Sequence, residues 1–206
     1  MNTLSKHLMC AYLNRKAYFK EDNVMLHQYK GNNILVFRGT NDAKSLTYSF
    51  HLWESEHIHQ GYKKYSEDCR EKVKSMDVDY SKPLIVTGHS IGSIAGALIA
   101  NDLDIEAEVV LFGSPKLATA KFRNIIDKNP KLKIYNYINE SDIIAAYPFV
   151  YYDHLADPII LENSKNYVNP LTYHSMKTYS HNMYKRKKQI EQKGVDNPFD
   201  NYLDIL

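Results

Sequence analysis

The hydrophobic period changes several times along the chain, and each change marks an element. The first twenty residues, MNTLSKHLMCAYLNRKAYFK, read as a helix, and NVMLHQY and NILVF read as two strands around the turn KGNN. In GYKKYSEDCREKVKSM the residues Tyr62, Tyr65, Cys69, Val73 and Met76 recur at helical spacing, which predicts an amphipathic helix with Cys69 in its packed face. PLIVT is a short apolar strand that runs at once into a glycine-bounded turn and the helix IGSIAGALIANDL. AEVVLFG reads as a buried strand, TAKFRNIIDKN as a helix stopped by Pro130, and KLKIYNYI as a further strand.

Strands that alternate with helices of this length imply βαβ units and a mostly parallel sheet flanked by helices, an α/β architecture. The chain has 206 residues, 44% of them hydrophobic, with no internal repeat and no linker rich in Pro, Gly or Ser. Residues 1–206 are therefore expected to form one domain.

Charge narrows the range of partners. Lys and Arg number 26 against 24 acids, so the net charge is +2 and nothing draws the chain to nucleic acid in general. Attraction to a membrane would need a local patch, and YKRKKQ at 184–189 is one, readable either as a solvated helix face or as a contact for anionic lipid. The acidic and apolar GVDNPFDNYLDIL at the carboxyl end reads as a tail packed back on the domain. Cys10 and Cys69 are too few for a disulfide framework or a thiolate zinc site, which favours a reducing compartment. A lysine and a histidine interrupt the apolar stretch near the amino terminus, and no segment approaches the roughly eighteen apolar residues of a membrane helix. A soluble, cytoplasmic protein is expected.

The chemistry centres on IVTGHSIGSIAG, residues 85–96. A serine between glycines at a strand-to-helix junction is the nucleophile elbow of α/β-hydrolases, a turn so tight that larger side chains would collide. Gly96, one turn on, would let the helix lie close to the sheet. Ligands of parallel sheets sit beyond the carboxyl ends of the strands. Thr40, Ser90 and Asp142 each follow a strand, which would gather them on one rim. The chain order Ser, Asp, His fits Ser90, Asp142 and a later histidine, of which there are three: His154, His174 and His181. The imidazole would take the serine proton while the carboxylate fixes its tautomer. Asp142 also reads as a simple helix cap in NESDII, with Asp153 and Asp157 as fallback acids. His89 reads as packing. His51, His57 and His59 with Glu54 and Glu56 raise a metal reading, because alternate residues of a strand share a face.

From about residue 33 to about residue 180 the chain resembles the class 3 (fungal-type) lipases of the α/β-hydrolase fold. ILVFRGT looks like that family's Phe-Arg-Gly-Ser/Thr strand end, and HQGYKKY like its His-x-Gly-Phe/Tyr helix start. VTGHSIGSIAGAL matches its elbow, LFGSPKLA its Phe-Gly-Ser-Pro strand end, and YNYINESDIIAAYP the segment that carries its acid. The resemblance implies Ser90 as nucleophile, Asp142 as orienting acid, and an oxyanion hole from Thr40, through its N–H and hydroxyl, and the N–H of Ile91. YYDHLADPIIL is similar to the family's Tyr-x-His-x-Gly strand pair and makes His154 structural. HSMKTY resembles the start of the helix that carries the base, which puts His174 first and His181 second. His59 becomes a structural helix start rather than a metal ligand.

No metal or organic cofactor is implied. The implied substrate is a lipid ester, a triacylglycerol or shorter acylglycerol first, a phospholipid or small ester second, met at a membrane or lipid-droplet surface. The alternative of another class is a lipid-binding or interaction module without turnover, since fold alone does not assign function. The lid region NDAKSLTYSFHLWESEHI departs from the family: Ser45 and Leu46 stand where an Asp-Trp pair is usual, and Trp53 comes later. A short or absent lid is expected there, with Leu46, Tyr48, Phe50 and Leu52 alternating as in a strand.

Overall fold

A computed structural model describes residues 2–40, 60–116, 118–147, 152–163 and 165–192. Among these residues six strands form one sheet in sequence order: β1 (Val24–Tyr29), β2 (Asn32–Phe37), β3 (Leu84–His89), β4 (Ala107–Phe112), β5 (Leu132–Asn139) and β6 (Pro158–Leu161). Only β1 is antiparallel to its neighbour, and every later pair is parallel. Lys30 and Gly31, both at positive φ, make the two-residue turn between β1 and β2.

Among the described residues the helices are α1 (Thr3–Ala17), α2 (Gln60–Lys74), α3 (Ile91–Asp102), α4 (Ala120–Asp127) and α5 (Met176–Gln192). Alternate strand residues sort them into two layers. Leu35, Phe37, Val86, Val109 and Leu111 pack with Cys69 and Val73 of α2, Ile94 and Leu98 of α3 and Ile126 of α4. Ile34, Val36, Ile85, Val110 and Phe112 face the other way, against Cys10 and Ala11 of α1 and Met176, Tyr179 and Met183 of α5. Burial on both faces is why β2, β3 and β4 read as unbroken apolar runs.

Polar contacts set how far α1 slides along its layer. The His7 imidazole bonds Tyr137 Oη at 2.7 Å through Nδ1 and Glu108 Oε1 at 2.8 Å through Nε2, and Lys6 pairs with the same carboxylate. Midway along the helix, Asn14 Nδ2 donates to Thr87 Oγ1 at 2.8 Å. The C-cap of α1 is Tyr18, which this register brings to the carboxyl end of β3, beside His89.

Near the carboxyl end, Asp153 and Ala118 form an isolated antiparallel bridge, and PIIL then joins β5 in parallel as the edge strand. Among the described residues no helix is long and apolar enough to cross a membrane. The lid region, the histidines and glutamates of the metal reading, and the carboxyl-terminal tail lie outside the described residues.

Candidate active site

Ser90 joins β3 to α3 at φ 56° and ψ −129°, a conformation sparsely populated by residues other than glycine. Its N–H donates to Phe112 O at 3.0 Å and its carbonyl accepts from Ser93 N at 3.0 Å. The glycines around it are required by close approach. A Cβ on Gly92 would collide with the Phe37 carbonyl and lie 2.6 Å from Arg38 O, and one on Gly88 would lie 2.7 Å from Ser93 N. Ile91 opens α3, so its N–H has no acceptor within the helix.

Asp142 sits in the turn after β5, 3% exposed. Its Oδ1 accepts from Ile144 N at 3.0 Å and Ala145 N at 3.1 Å, and its Oδ2 accepts from Tyr179 Oη at 2.6 Å. His174 Nδ1 lies 2.8 Å from Oδ2 and 3.0 Å from Oδ1. Burial pushes the Asp142 carboxyl up. The charge and hydrogen bond of His174, the Tyr179 hydroxyl and the Ala145 N–H together outweigh it and hold the group below the ordinary carboxylate range.

His174 lies in the turn between a short 3-10 stretch (Pro170–Thr172) and α5, ahead of the helix rather than on it. Because Nδ1 donates to a carboxylate, Nε2 of the neutral ring is the acceptor. That nitrogen is buried with no hydrogen-bond partner, Ser90 Oγ included. Catalytic contacts of this kind are often long without substrate and close in the Michaelis complex.

Thr40 lies just past β2. A Cβ on its neighbour Gly39 would come 3.1 Å from Ser90 Cβ, so the chain entering Thr40 runs directly past the serine. Thr40 Oγ1 is buried and unpartnered, as His174 Nε2 is. The rim therefore carries an orphaned hydroxyl on the chain that passes Ser90 and an orphaned imidazole acceptor on the ring packed against His89, the residue before it.

The other candidates lie elsewhere. His181 is exposed on α5, Asp153 is exposed, and Asp157 is exposed and paired with Arg123 at 2.6 Å. His154 sits by the Ser114 backbone, and burial lowers its pKa to about 4. The basic run 184–189 is divided: Lys187 is buried against Glu191, whereas Lys185 and Lys188 are exposed. Among the described residues no group of three or more His, Cys, Asp or Glu side chains could hold a metal ion.

Three side chains at the site escape sequence reasoning. Tyr179 reaches Asp142 from α5. Tyr18 reaches His89 from α1, and His89, read as packing, has both ring nitrogens bonded, with Nε2 2.7 Å from His174 O. All three contacts span more than thirty residues, and no local pattern marks them.

The chain is similar to phospholipase A1-II 1 of Oryza sativa subsp. indica, at 26% identity over 123 residues, 54% of this chain and 31% of that protein. It is also similar to phospholipase A1-IIalpha of Arabidopsis thaliana, at 28% identity over 117 residues, 47% of this chain and 28% of that one. It thus spans about a third of the length of the curated relatives it matches. In three dimensions it resembles the native Rhizomucor miehei lipase propeptide complex, with a TM-score of 0.63, 15% identity and coverage of 81% of this chain and 70% of that one. The nonglycosylated LIP2 lipase of Yarrowia lipolytica gives a TM-score of 0.62 at 18% identity, covering 78% and 81%. These likenesses make the fold that of the α/β-hydrolases. The family model for class 3 lipases matches residues 34–152, more than half of the chain and the stretch from β2 past Asp142, and the chain belongs to that family.

Proposed function

We propose that this protein is a serine hydrolase that cleaves carboxylic esters of lipids through an acyl-Ser90 intermediate. The observation that carries the reading is the state of His174: Nδ1 is fixed on the buried Asp142 carboxylate, and Nε2 is left buried and unpartnered on a ring whose centroid lies 4.7 Å from that of His89, the residue before Ser90. In this reading the Ser90 hydroxyl attacks the ester carbonyl carbon as its proton passes to His174 Nε2. Negative charge gathers on the former carbonyl oxygen, where the N–H groups of Thr40 and Ile91 and the Thr40 hydroxyl receive it. One such donor is typically worth about 100- to 1,000-fold in rate. Collapse of the intermediate breaks the ester C–O bond, and the leaving alcohol takes the proton from His174. A water molecule activated by the same imidazole then hydrolyses the acyl-enzyme.

Acylglycerols are the first substrate class in this reading. Ile143, beside Asp142, and Val168 and Leu171, in the segment that leads to His174, are exposed apolar side chains suited to a lipid surface. A phospholipase A1 specificity is the second reading, favoured by the two plant relatives that carry that name.

The test is hydrolysis of p-nitrophenyl esters from acetate to palmitate by the native protein and by Ser90→Ala. The expected result is hydrolysis that rises with acyl length and falls to background in the variant. A folded native protein that neither turns over any ester, with or without lipid surface, nor reacts with a fluorophosphonate probe at Ser90 would sink the reading in favour of a lipid-binding module.

A further inference from the structure

Two side chains outside the machinery just described link its two sides. Tyr18 caps α1, and its hydroxyl donates to His89 Nδ1 while lying against the backbone of Gly39, the residue before Thr40, so closely that a Cβ there would overlap it. The opposite nitrogen of His89, Nε2, donates to the main-chain carbonyl of His174 at 2.7 Å. The link thus runs from the Gly39 backbone, against which the Tyr18 hydroxyl is seated, through the hydrogen bond from that hydroxyl to the His89 ring, and from the ring to the backbone of His174.

The ring is suited to this by its surroundings. His89 is 3% exposed, its ring centroid lies 4.7 Å from that of His174 and 5.8 Å from that of Tyr179, and both of its nitrogens are occupied. Burial, and then the neighbouring His174, hold its pKa down to about 3. A neutral imidazole has one donor and one acceptor, and a carbonyl on one side with a hydroxyl on the other admits a single tautomer. Nothing in the proposed reaction protonates or deprotonates His89. Simple packing does not require this bond either: Phe at position 18 would fill the same space, but would leave His89 Nδ1 short of a partner and the Gly39 backbone without the hydroxyl against it.

We infer that Tyr18 and His89 are positioning residues, which together hold the Thr40 oxyanion strand end and the His174 backbone at a fixed separation across the Ser90 elbow. This rests on the proposed serine-hydrolase reading. One end of the link is the glycine backbone just before the first oxyanion donor, and the other is the carbonyl of the base residue itself. A shift at either end would misplace a group that acts on the transition state, so the link bears on kcat more than on substrate affinity.

The experiment measures kcat and KM on p-nitrophenyl butyrate, together with thermal unfolding, for the native protein, Tyr18→Phe, His89→Gln, His89→Leu and the double variant Tyr18→Phe with His89→Gln. The expected result for Tyr18→Phe is a fall in kcat of about 10- to 100-fold with KM within about twofold and the unfolding temperature nearly unchanged. His89→Gln, which keeps an amide donor and a carbonyl acceptor, is expected to retain more activity than His89→Leu. The double variant is expected to be no slower than the slower of its two single variants, since both break one link.

Ser90-dependent hydrolysis that survives Tyr18→Phe within about twofold in kcat would overturn the positioning role and leave the hydrolase reading intact. So would losses in kcat that track the unfolding temperature and vanish at a lower assay temperature, which would mark Tyr18 as packing. A native protein without Ser90-dependent turnover removes the hydrolase reading, and the positioning role goes with it.

Discussion

The two oxygens of Asp142 divide their partners, and the division explains why the residue reads both as a cap and as an acid. Oδ1 closes the turn onto Ile144 and Ala145, and Oδ2 takes the Tyr179 hydroxyl, with His174 Nδ1 approaching both. The cap therefore aims the acid. Tyr179→Phe is expected to lower kcat on p-nitrophenyl esters by about 10-fold, since one of several anchors is lost, whereas Asp142→Asn, which leaves His174 in the wrong tautomer, should lower it by about 10⁴-fold. His89 makes a separate prediction. Its pKa of about 3 lies below the ordinary 6.5, so between those values the unfolded chain binds a proton that the native ring refuses. Stability should be fully present above pH 6.5 and fall with acidity at about 1.4 kcal/mol per pH unit until pH 3 from this group alone. Urea unfolding of native protein and His89→Gln from pH 4 to pH 7 checks it: the variant should show a shallower slope, and equal slopes would refute the account. Ser90 and Asp142 were legible because they stand in short local patterns after strands. Tyr18, His89 and Tyr179 were not, since their partners come from distant elements and a buried aromatic looks the same in sequence whether or not its polar tip is bonded.

At the scale of elements, the elbow depends on how closely α3 approaches β2. The two glycines that face β2 differ in what a methyl group would strike. On Gly92 it would meet main-chain carbonyls, that of Phe37 at the end of β2 and that of Arg38, which accepts from the Tyr65 hydroxyl, whereas on Gly96 it would lie 3.0 Å from the Phe37 ring and 3.1 Å from a Val86 methyl, both side chains able to shift. Gly96→Ala should cost about 1 to 2 kcal/mol in denaturant unfolding, at the mild end of overpacking, and Gly92→Ala more than about 3 kcal/mol or no folding at all. Equal losses at the two sites would contradict this. Most elements were legible for the reason that makes the elbow rigid: strands buried on both faces appear as apolar runs, and the crossover helices as segments of helical period between them. The exceptions have local causes. PIIL at 158–161 begins with proline and is short, as edge strands are, so its own pattern is no stronger than a loop's, and only the resemblance of YYDHLADPIIL to the family's strand pair marks it. HSMKTY reads as a helix start, but Ser175 Oγ accepts from Thr178 N at 3.3 Å and bounds the helix, which leaves His174 in the preceding turn and free to face Asp142.

Across the whole molecule, α1 links the amino end of the sheet to the rim that carries Ser90. Its first turns are fastened to Glu108 near the start of β4, its middle to Thr87 in β3, and its C-cap Tyr18 to His89 at the end of β3. At 1.5 Å per residue the eleven steps from His7 to Tyr18 cover about 16 Å, so the register set at Glu108 decides where the tyrosine hydroxyl arrives. Burial raises the Glu108 carboxyl, but the hydrogen bonds of His7 and Lys6 and their charge outweigh it and bring the pKa to about 2 from 4.5. A depressed carboxylate contributes stability that is present above pH 4.5 and lost as pH falls through 2, because the unfolded chain takes up the proton first. Glu108→Gln should therefore be less stable than native protein at neutral pH, with the gap narrowing below pH 4.5 and closing near pH 2. Glu108 touches nothing at the rim, yet if α1 carries register from one end of the sheet to the other, Glu108→Gln should also lower kcat at pH 7. Combining it with Tyr18→Phe should then add little to the loss from Tyr18→Phe alone, because both act through the same hydroxyl. A full, multiplicative loss in the combined variant would mean that α1 supports the fold and the tyrosine supports the site independently.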